Sequence, residues 1–200
     1  MRTYTHFLLL FCLWLLPAAD SLAQPYTLRH LGVEDGLSNN YVRDIAQDRQ
    51  GCIWIATELG LNRFDGCNFT TYKSNNTGLS SDALNVLLYD ETENLLWISG
   101  KFKGICALDC STYRFRSYGE AEGANIDNVV HLSHAANEGI WITMHHGDIV
   151  YYDKRSQTFT SLSDKGIKSL NTSNWCTFDD GAENLYIGHA QGGMSIVNLK

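Results

Sequence analysis

The feature that most constrains this 200-residue chain is an internal repeat marked by aromatic residues. Four aromatic residues, each followed by isoleucine, recur at intervals of 43, 44 and 45 residues: Trp54, Trp97, Trp141 and Tyr186. Three aspartates follow the first three of them, 11 or 12 residues later: Asp65, Asp109 and Asp153. Between aromatic residue and aspartate, a glycine opens a further apolar segment. A fixed period of this length indicates tandem copies of one structural unit.

Within a copy, apolar and polar residues alternate with a period of two, which is typical of β-strands. In the first copy we predict four strands, labelled A to D in chain order and bounded by Gly, Asn, Asp or Ser, at 42–46, 52–56, 61–65 and 68–72. The Asp65-Gly66 dipeptide predicts a tight turn between the last two. No segment shows helical spacing over about ten residues or more. The sequence therefore predicts an all-β chain.

Four-stranded antiparallel units of about 40–45 residues in tandem are typical of β-propeller blades. One small sheet leaves two apolar faces uncovered, so blades must stack face to face. We predict four consecutive blades that form part of a larger propeller, at 41–83, 84–128, 129–170 and 171–200. The last blade would be incomplete, with strands A to C only. The recurring aromatic residues are expected to pack between blades, and the recurring aspartates to stabilise turns.

The N-terminal part is predicted to contain a signal peptide and then one outer strand. Arg2, the ten apolar residues 7–16 and the small-residue site 21–23 are typical of a secretory signal. Ten residues are far fewer than the roughly 20 that span a bilayer. We therefore expect residues 1–23 to be removed and the product to be periplasmic. Residues 24–40 would supply an outer strand and its lead-in, which either completes the last blade or belongs to a longer propeller.

Charge and motifs exclude several classes of function. The chain has 15 Lys and Arg against 22 Asp and Glu, a net charge of −7, which argues against nucleic acid as a partner. No second segment is apolar enough to span a membrane. The sequence has no Gly-x-Ser-x-Gly, phosphate-binding loop or dinucleotide fingerprint, and no cofactor or catalytic residue is predicted.

Polar and aromatic residues vary at matching loop positions between strands B and C of the four copies. Variable loop tips on a fixed scaffold are typical of ligand recognition. The candidate ligand-binding residues are Glu58, Lys101, Phe102, Lys103, His145, His146, His189 and Gln191. Phe102, Lys101, Lys103 and His145 together would suit a sugar. The alternative is that these residues are merely solvated loop tips.

The sequence predicts no metal site. Adjacent His145 and His146 point apart in a strand or loop, and no Cys or carboxylate lies at ligand spacing near them or His189. Five cysteines remain after signal removal, so at least one is free. A Cys52–Cys67 bridge is conceivable, and buried free thiols are the alternative.

Three segments resemble two-component regulator propeller repeats: GLSNNYV (36–42), QDRQGCIWIATELGLNRFDGCNFTTY (47–72) and GLSSDALNV (78–86). Copy two departs from the pattern, with Ser99-Gly100 where copy one has Ala-Thr, and copies three and four keep mainly the aromatic-Ile and Gly features. The resemblance implies the periplasmic sensor region of a bacterial hybrid two-component receptor. Such receptors carry further blades, a transmembrane helix and a histidine kinase, and they sense oligosaccharides to regulate polysaccharide-utilisation genes.

The resemblance implies a sensor module with no catalysis of its own, an N-terminal fragment of such a receptor. One alternative is a secreted propeller enzyme of the lyase or glycosidase type. Another is an unstable fragment with no independent role.

Overall fold

The structure is a computed structural model that describes residues 26–167 and 173–200. In these two ranges it contains fifteen strands, and consecutive strands pair into four antiparallel sheets. Blade 1 contains β1 (Val42–Gln47), β2 (Ile53–Thr57), β3 (Gly60–Phe64) and β4 (Phe69–Tyr72). Blade 2 contains β5 (Leu84–Asp90), β6 (Leu95–Gly100), β7 (Ile105–Asp109) and β8 (Arg114–Tyr118). Blade 3 contains β9 (Val129–His134), β10 (Ile140–Met144), β11 (Ile149–Asp153) and β12 (Thr158–Ser161), and blade 4 contains β13 (Asn174–Asp179), β14 (Asn184–His189) and β15 (Met194–Asn198).

The all-β propeller-blade architecture is confirmed. In blade 1 the strand limits differ from the predicted ones by one residue at most. The fourth sheet has three described strands, in the order β13-β14-β15. The described chain has no α-helix; one short 3-10 turn, Val33–Asp35, precedes blade 1, and another, Glu120–Glu122, lies in the connection between blades 2 and 3.

The structure describes only part of the N-terminal segment. The predicted signal peptide, residues 1–23, lies outside the described residues. Residues 26–30 belong to a separate unit without regular secondary structure. They do not form the expected strand, so completion of the last blade by this segment stays a prediction.

Alternation along each second strand places side chains in two different blade interfaces. On β6, Trp97 packs into the apolar cluster shared with blade 3, whereas Leu96 and Ile98 pack into the cluster shared with blade 1. Trp54 fills the blade 1 side of that second cluster, and Trp141 contacts blade 4 in the same way. Because successive side chains point to opposite faces of the sheet, one strand contributes to the apolar core on both sides of its blade.

The two end faces of the stack are open. On blade 4 the outward face exposes Phe178 (65%), Met194 (64%) and Ile196 (57%), with Tyr186 half-buried beside Phe178. On blade 1, Ile45 is 59% exposed, although the matching Leu87 of blade 2 is only 6% exposed. The four sheets do not close into a ring, consistent with part of a larger propeller.

The loops between the second and third strands share one end of each sheet with the connections between blades. Backbone amides of these loops donate to carbonyls of the connections: Lys101 to Ala83 (2.8 Å), His145 to Asn128 (3.1 Å) and Ala190 to Ser173 (2.9 Å). We call this end, formed by 58–59, 101–104, 145–148, 190–193 and connections 73–83 and 119–128, the loop face. The opposite end, which holds the remaining strand turns, is the turn face.

The Gly-Leu-Ser lead before blade 1 is docked on that blade. Leu37 is buried, and the Ser38 backbone N–H donates to Oδ1 of buried Asn62 at 2.9 Å. Asn62 Nδ2 donates in return to the Ser38 hydroxyl at 2.8 Å. The connection thus has a defined path over the loop face because a buried amide of β3 holds it.

Candidate functional site on the loop face

The predicted ligand-binding residues lie at the loop face, but several are already engaged. Glu58 accepts hydrogen bonds from Arg43 of its own blade and from Lys101 of blade 2, the latter at 3.0 Å. Hydrogen bonds from Arg43 and then Lys101 lower the pKa of Glu58. This ion-pair network connects two blades.

Phe102 and His145, expected to act together, contact different parts of the molecule. Phe102 packs partly buried against the apolar cluster between blades 1 and 2. Lys103 beside it is exposed. The His145 ring lies 3.9 Å from the His146 ring and 5.8 Å from the Trp175 ring, centroid to centroid. Phe102 and His145 therefore lie at two separate places on the loop face and do not form one shared site.

Trp175 is a residue that sequence reasoning missed. It is 57% exposed and lies where the pairing of β13 with β14 shifts register between Asn174 and Cys176. Such a bulge re-aims the side chain at that position. Sequence alternation alone carries no sign of the bulge.

The remaining candidates lie on blade 4. His189 Nε2 is hydrogen-bonded to the Ser195 hydroxyl at 2.8 Å, and Gln191 is exposed at the tip of the loop. Within the described ranges, no group of three or more His, Cys, Asp or Glu is placed to hold a metal ion.

A cleft of about 630 Å³ opens where blade 2 meets blade 3, between the connection that joins them and blade 3 itself. Its walls come from the connection 123–128, the loop 146–148 and residues 159–164. Of the predicted residues, His146 lines it. The cleft joins segments far apart in sequence, so spacing alone could not have revealed it.

The wall at 123–128 is firmly placed. Ala124 and Ile126 are buried, so the alternate residues Asn125 and Asp127 are exposed to the cleft. The Ile126 carbonyl accepts from Gly104 N–H at 2.8 Å, and Asp127 N–H donates to the Met144 sulfur at 3.3 Å. Polar side chains are thereby presented by a rigid backbone.

The opposite wall is organised by Asp148. Its Oδ1 accepts from Ile149 N–H at 2.8 Å, and its Oδ2 accepts from Ser163 N–H at 3.0 Å and from the Ser161 hydroxyl. One carboxylate thus ties the start of β11 to the segment after β12.

Apolar side chains form part of the cleft surface. Met144, Val150 and Phe159 line it. The Phe159 ring lies 4.7 Å from Tyr152 and 5.7 Å from Tyr118, within the aromatic cluster between blades 2 and 3. An aromatic ring held by its neighbours beside hydroxyls, amides and carboxylates is a surface that can bind polar ring molecules.

The recurring aspartates lie at the turn face, away from the cleft. Each accepts backbone hydrogen bonds within its turn: Asp65 from Asn68, Asp109 from Ser111 and Asp153 from Arg155. Hydrogen bonds from Ser111 and Thr112 lower the pKa of Asp109 to about 2. These carboxylates stabilise turns.

The structure shows the five cysteines of the described chain as free thiols. Burial raises the pKa of Cys106 to about 11 and that of Cys110 to about 12. These two thiols are therefore protonated and unreactive at neutral pH. The conceivable Cys52–Cys67 bridge is absent from the structure.

Comparison with known proteins gives this geometry a family context. A family model for the two-component regulator propeller matches residues 36–58, which include the Gly-Leu-Ser lead, β1 and β2. A stretch of 41 residues is 51% identical to histidine kinase P4 of Formosa agariphila and makes up 20% of this chain and 3% of that kinase.

Solved structures extend the likeness over the blades. A domain of B. thetaiotaomicron, described as the extracellular domain of a hybrid two-component system, matches with a TM-score of 0.77 and 34% identity over 88% of this chain. Residues 36–58 thus match the two-component regulator propeller, and the blade stack as a whole matches an extracellular domain of a hybrid two-component system. A second such domain of the same organism matches at 0.65 and 22% identity over 82% of the chain, which shows the fold alone.

The propeller blades described here are homologous to extracellular sensor regions of hybrid two-component systems. The chain spans 3% of the length of histidine kinase P4 and 25% and 23% of the two solved domains. Residues 26–167 and 173–200 include no helix with the length and apolarity that crossing a bilayer requires.

Proposed function

We propose that this chain is the ligand-binding part of a sensor propeller, exported to the periplasm, in a hybrid two-component receptor that senses oligosaccharides. The homology to extracellular sensor regions supports the sensor context. The cleft between blades 2 and 3 is the observation that carries ligand binding, because it combines a rigid polar wall with an aromatic ring.

Under this proposal the chain performs no catalysis itself. Binding at the loop face would change how the propeller packs against further domains of the receptor, and a kinase in those domains would regulate polysaccharide-utilisation genes. His146 contributes to the cleft, while Lys101, Lys103, His145, His189 and Gln191 would contact longer ligands that extend over the loop face.

A glycan-binding experiment tests the proposal. The purified chain is titrated with a panel of oligosaccharides by isothermal calorimetry, and each mixture is then analysed by chromatography. We expect saturable binding, with the glycan recovered intact. His146→Ala should weaken binding at least about fivefold, the usual size for loss of one polar contact. The matched control is His30→Ala, outside the blades.

Two results would contradict the proposal. Shortened glycan products would instead support a propeller enzyme of the lyase or glycosidase type. A complete lack of binding across the panel would show that this part of the propeller does not bind oligosaccharides.

A further inference from the structure

The cleft between blades 2 and 3 has an unusual balance of charge. Three carboxylates line it, those of Asp127, Asp148 and Asp164, and one imidazole, that of His146. Among the described residues of its lining there is no Lys or Arg. The cleft is therefore an acidic surface, whereas an anion-binding site requires basic side chains or clustered free amides.

Two of these carboxylates belong to exposed residues of the cleft lining. Asp127 and Asp164 are exposed, and they come from opposite walls, one in the connection 123–128 and the other after β12. Asp148 is half-buried and occupied by its hydrogen bonds to Ser161, Ser163 and Ile149. A ligand between the walls would meet negative charge on both sides.

The basic side chains nearest the cleft do not line it: Lys103 is exposed on the loop 101–104, and Lys165 is exposed directly after Asp164. Lys101 and Arg43 are paired with Glu58 at the boundary of blades 1 and 2. On the opposite, turn face, Lys154 is buried in an ion pair with Asp90, and its side chain is only 7% exposed. Arg43, Lys101 and Lys154 are therefore each paired with a carboxylate outside the cleft, and the lining itself carries three carboxylates.

The remaining lining suits an uncharged polyhydroxylated ring. Asn125, Asn128 and Ser163 supply amide and hydroxyl groups, while Met144, Val150 and Phe159 supply apolar surface. Sugar hydroxyls donate to carboxylates, and the apolar face of a sugar ring packs on an aromatic side chain. A carboxylate or sulfate on the ligand would find no Lys or Arg in the lining and would be repelled by Asp127 and Asp164.

We propose that this cleft selects neutral oligosaccharides and rejects acidic ones, such as polyuronates and sulfated glycans, through Asp127 and Asp164. The proposal rests on the proposed function, since it names the ligand class of the same site. It concerns the sign of the ligand charge, which the homology leaves open.

Matched pairs of glycans provide the test. Each pair contains a neutral tetrasaccharide and the uronate tetrasaccharide of the same linkage and stereochemistry, titrated against the purified chain by calorimetry at low salt. In any pair that binds, we expect the neutral member to bind at least about tenfold more tightly, because like charges at a few ångströms are unfavourable. Added salt should reduce this ratio, since it screens exposed charges.

Charge-removing variants locate the selectivity. Asp127→Asn with Asp164→Asn removes two charges at nearly constant shape and should reduce the ratio to about threefold or less. Glu91→Gln with Glu93→Gln removes the same charge from exposed positions of the turn face and should leave the ratio unchanged. Thermal unfolding of both double variants verifies that all compared proteins are folded.

The possible failures are distinguishable. Tighter binding of uronates than of neutral partners would overturn the charge selectivity while leaving oligosaccharide sensing intact. An equal ratio in the two double variants would show that the selectivity does not arise in this cleft. Absence of binding by every pair would overturn the proposed function itself.

Discussion

At the scale of single residues, the recurring tryptophans occupy equivalent positions but differ in their polar partners. Trp54 Nε1 donates to Asp48 Oδ2 at 2.9 Å, and Trp141 Nε1 donates to Asp179 Oδ2 at 2.9 Å. Trp97 Nε1 is buried with no acceptor among the described residues. The period in the sequence predicts where these rings pack. The partner of each indole N–H depends on turn residues that the period does not specify.

This difference predicts unequal costs for replacing tryptophan by phenylalanine. Trp54→Phe should destabilise the chain by about 1–3 kcal/mol more than Trp97→Phe, because it leaves the buried Asp48 carboxylate without one partner. In Trp97→Phe, an unsatisfied N–H is removed together with the ring area. Urea unfolding followed by far-ultraviolet circular dichroism measures both. Equal losses of stability would contradict the argument.

At the scale of elements, the start of β7 depends on a close backbone approach. Gly104 precedes β7 with φ of +90°, and a Cβ there would lie 2.1 Å from the Tyr118 carbonyl oxygen. Its N–H also holds the Ile126 carbonyl, so this residue positions one wall of the cleft. The sequence showed a recurring glycine, and the structure shows why one of them cannot be another residue.

A pair of alanine substitutions separates the two effects at Gly104. Gly181 on the turn face has φ of +75°, but no atom lies within 4 Å of the place that an added Cβ would occupy, so Gly181→Ala tests backbone strain alone. We expect Gly181→Ala to cost about 1–2 kcal/mol and Gly104→Ala about 3 kcal/mol or more, since the latter adds a steric clash. Thermal and urea unfolding provide the values. Similar losses of stability for the two variants would show that β7 and the connection after Tyr118 can shift to relieve the clash.

At the scale of the whole molecule, stability arises between blades as much as within them. Apolar clusters join blades 1 and 2, blades 2 and 3, and blades 3 and 4. Asp90 of blade 2 and Lys154 of blade 3 add an ion pair with side-chain exposures of 1% and 7%. Thr92 supports it by donating to Asp90 and accepting from Lys154. Nearest-neighbour contacts of this kind make a stack of repeats cooperative.

Breaking this ion pair should be costly. Lys154→Met leaves a buried carboxylate uncompensated and should reduce the free energy of unfolding by about 3–5 kcal/mol. The adjacent Arg155 forms an exposed pair with Glu138, at side-chain exposures of 80% and 63%, so Arg155→Ala is a matched control with a cost of at most about 1 kcal/mol. Urea unfolding measures the stability of each variant. Equal losses of unfolding free energy would show that the buried Asp90–Lys154 pair contributes no more than the exposed Arg155–Glu138 pair.

The same pair gives a pH dependence. Burial alone would raise the pKa of Asp90, but the hydrogen bonds from Lys154 and Thr92 outweigh it and lower the pKa in the folded chain. The stabilisation is therefore complete above the unfolded value of about 3.9 and is lost as the pH falls through the folded value. We expect the stability difference between the natural chain and Lys154→Met to narrow below about pH 4. A constant difference down to pH 2 would contradict this sign.

The candidate site was only partly predictable. Loop positions such as His146 were recognisable because they vary at a fixed point of each repeat. The cleft itself unites Asp127, Asp148 and Phe159, which lie in three separate segments. Glu58 was expected to contact ligand, yet Arg43 and Lys101 occupy its carboxylate. Which polar residues are engaged and which remain open to ligand depends on contacts between blades.

By itself, the sequence determined the strands, their order and the blade as the repeating unit, because alternation and turn residues act over a few neighbouring positions. Tertiary structure alone decided which indoles find acceptors, which carboxylates are paired and where a cleft opens. These properties arise from packing between sheets, where residues far apart in the chain set each other's burial and charge environment.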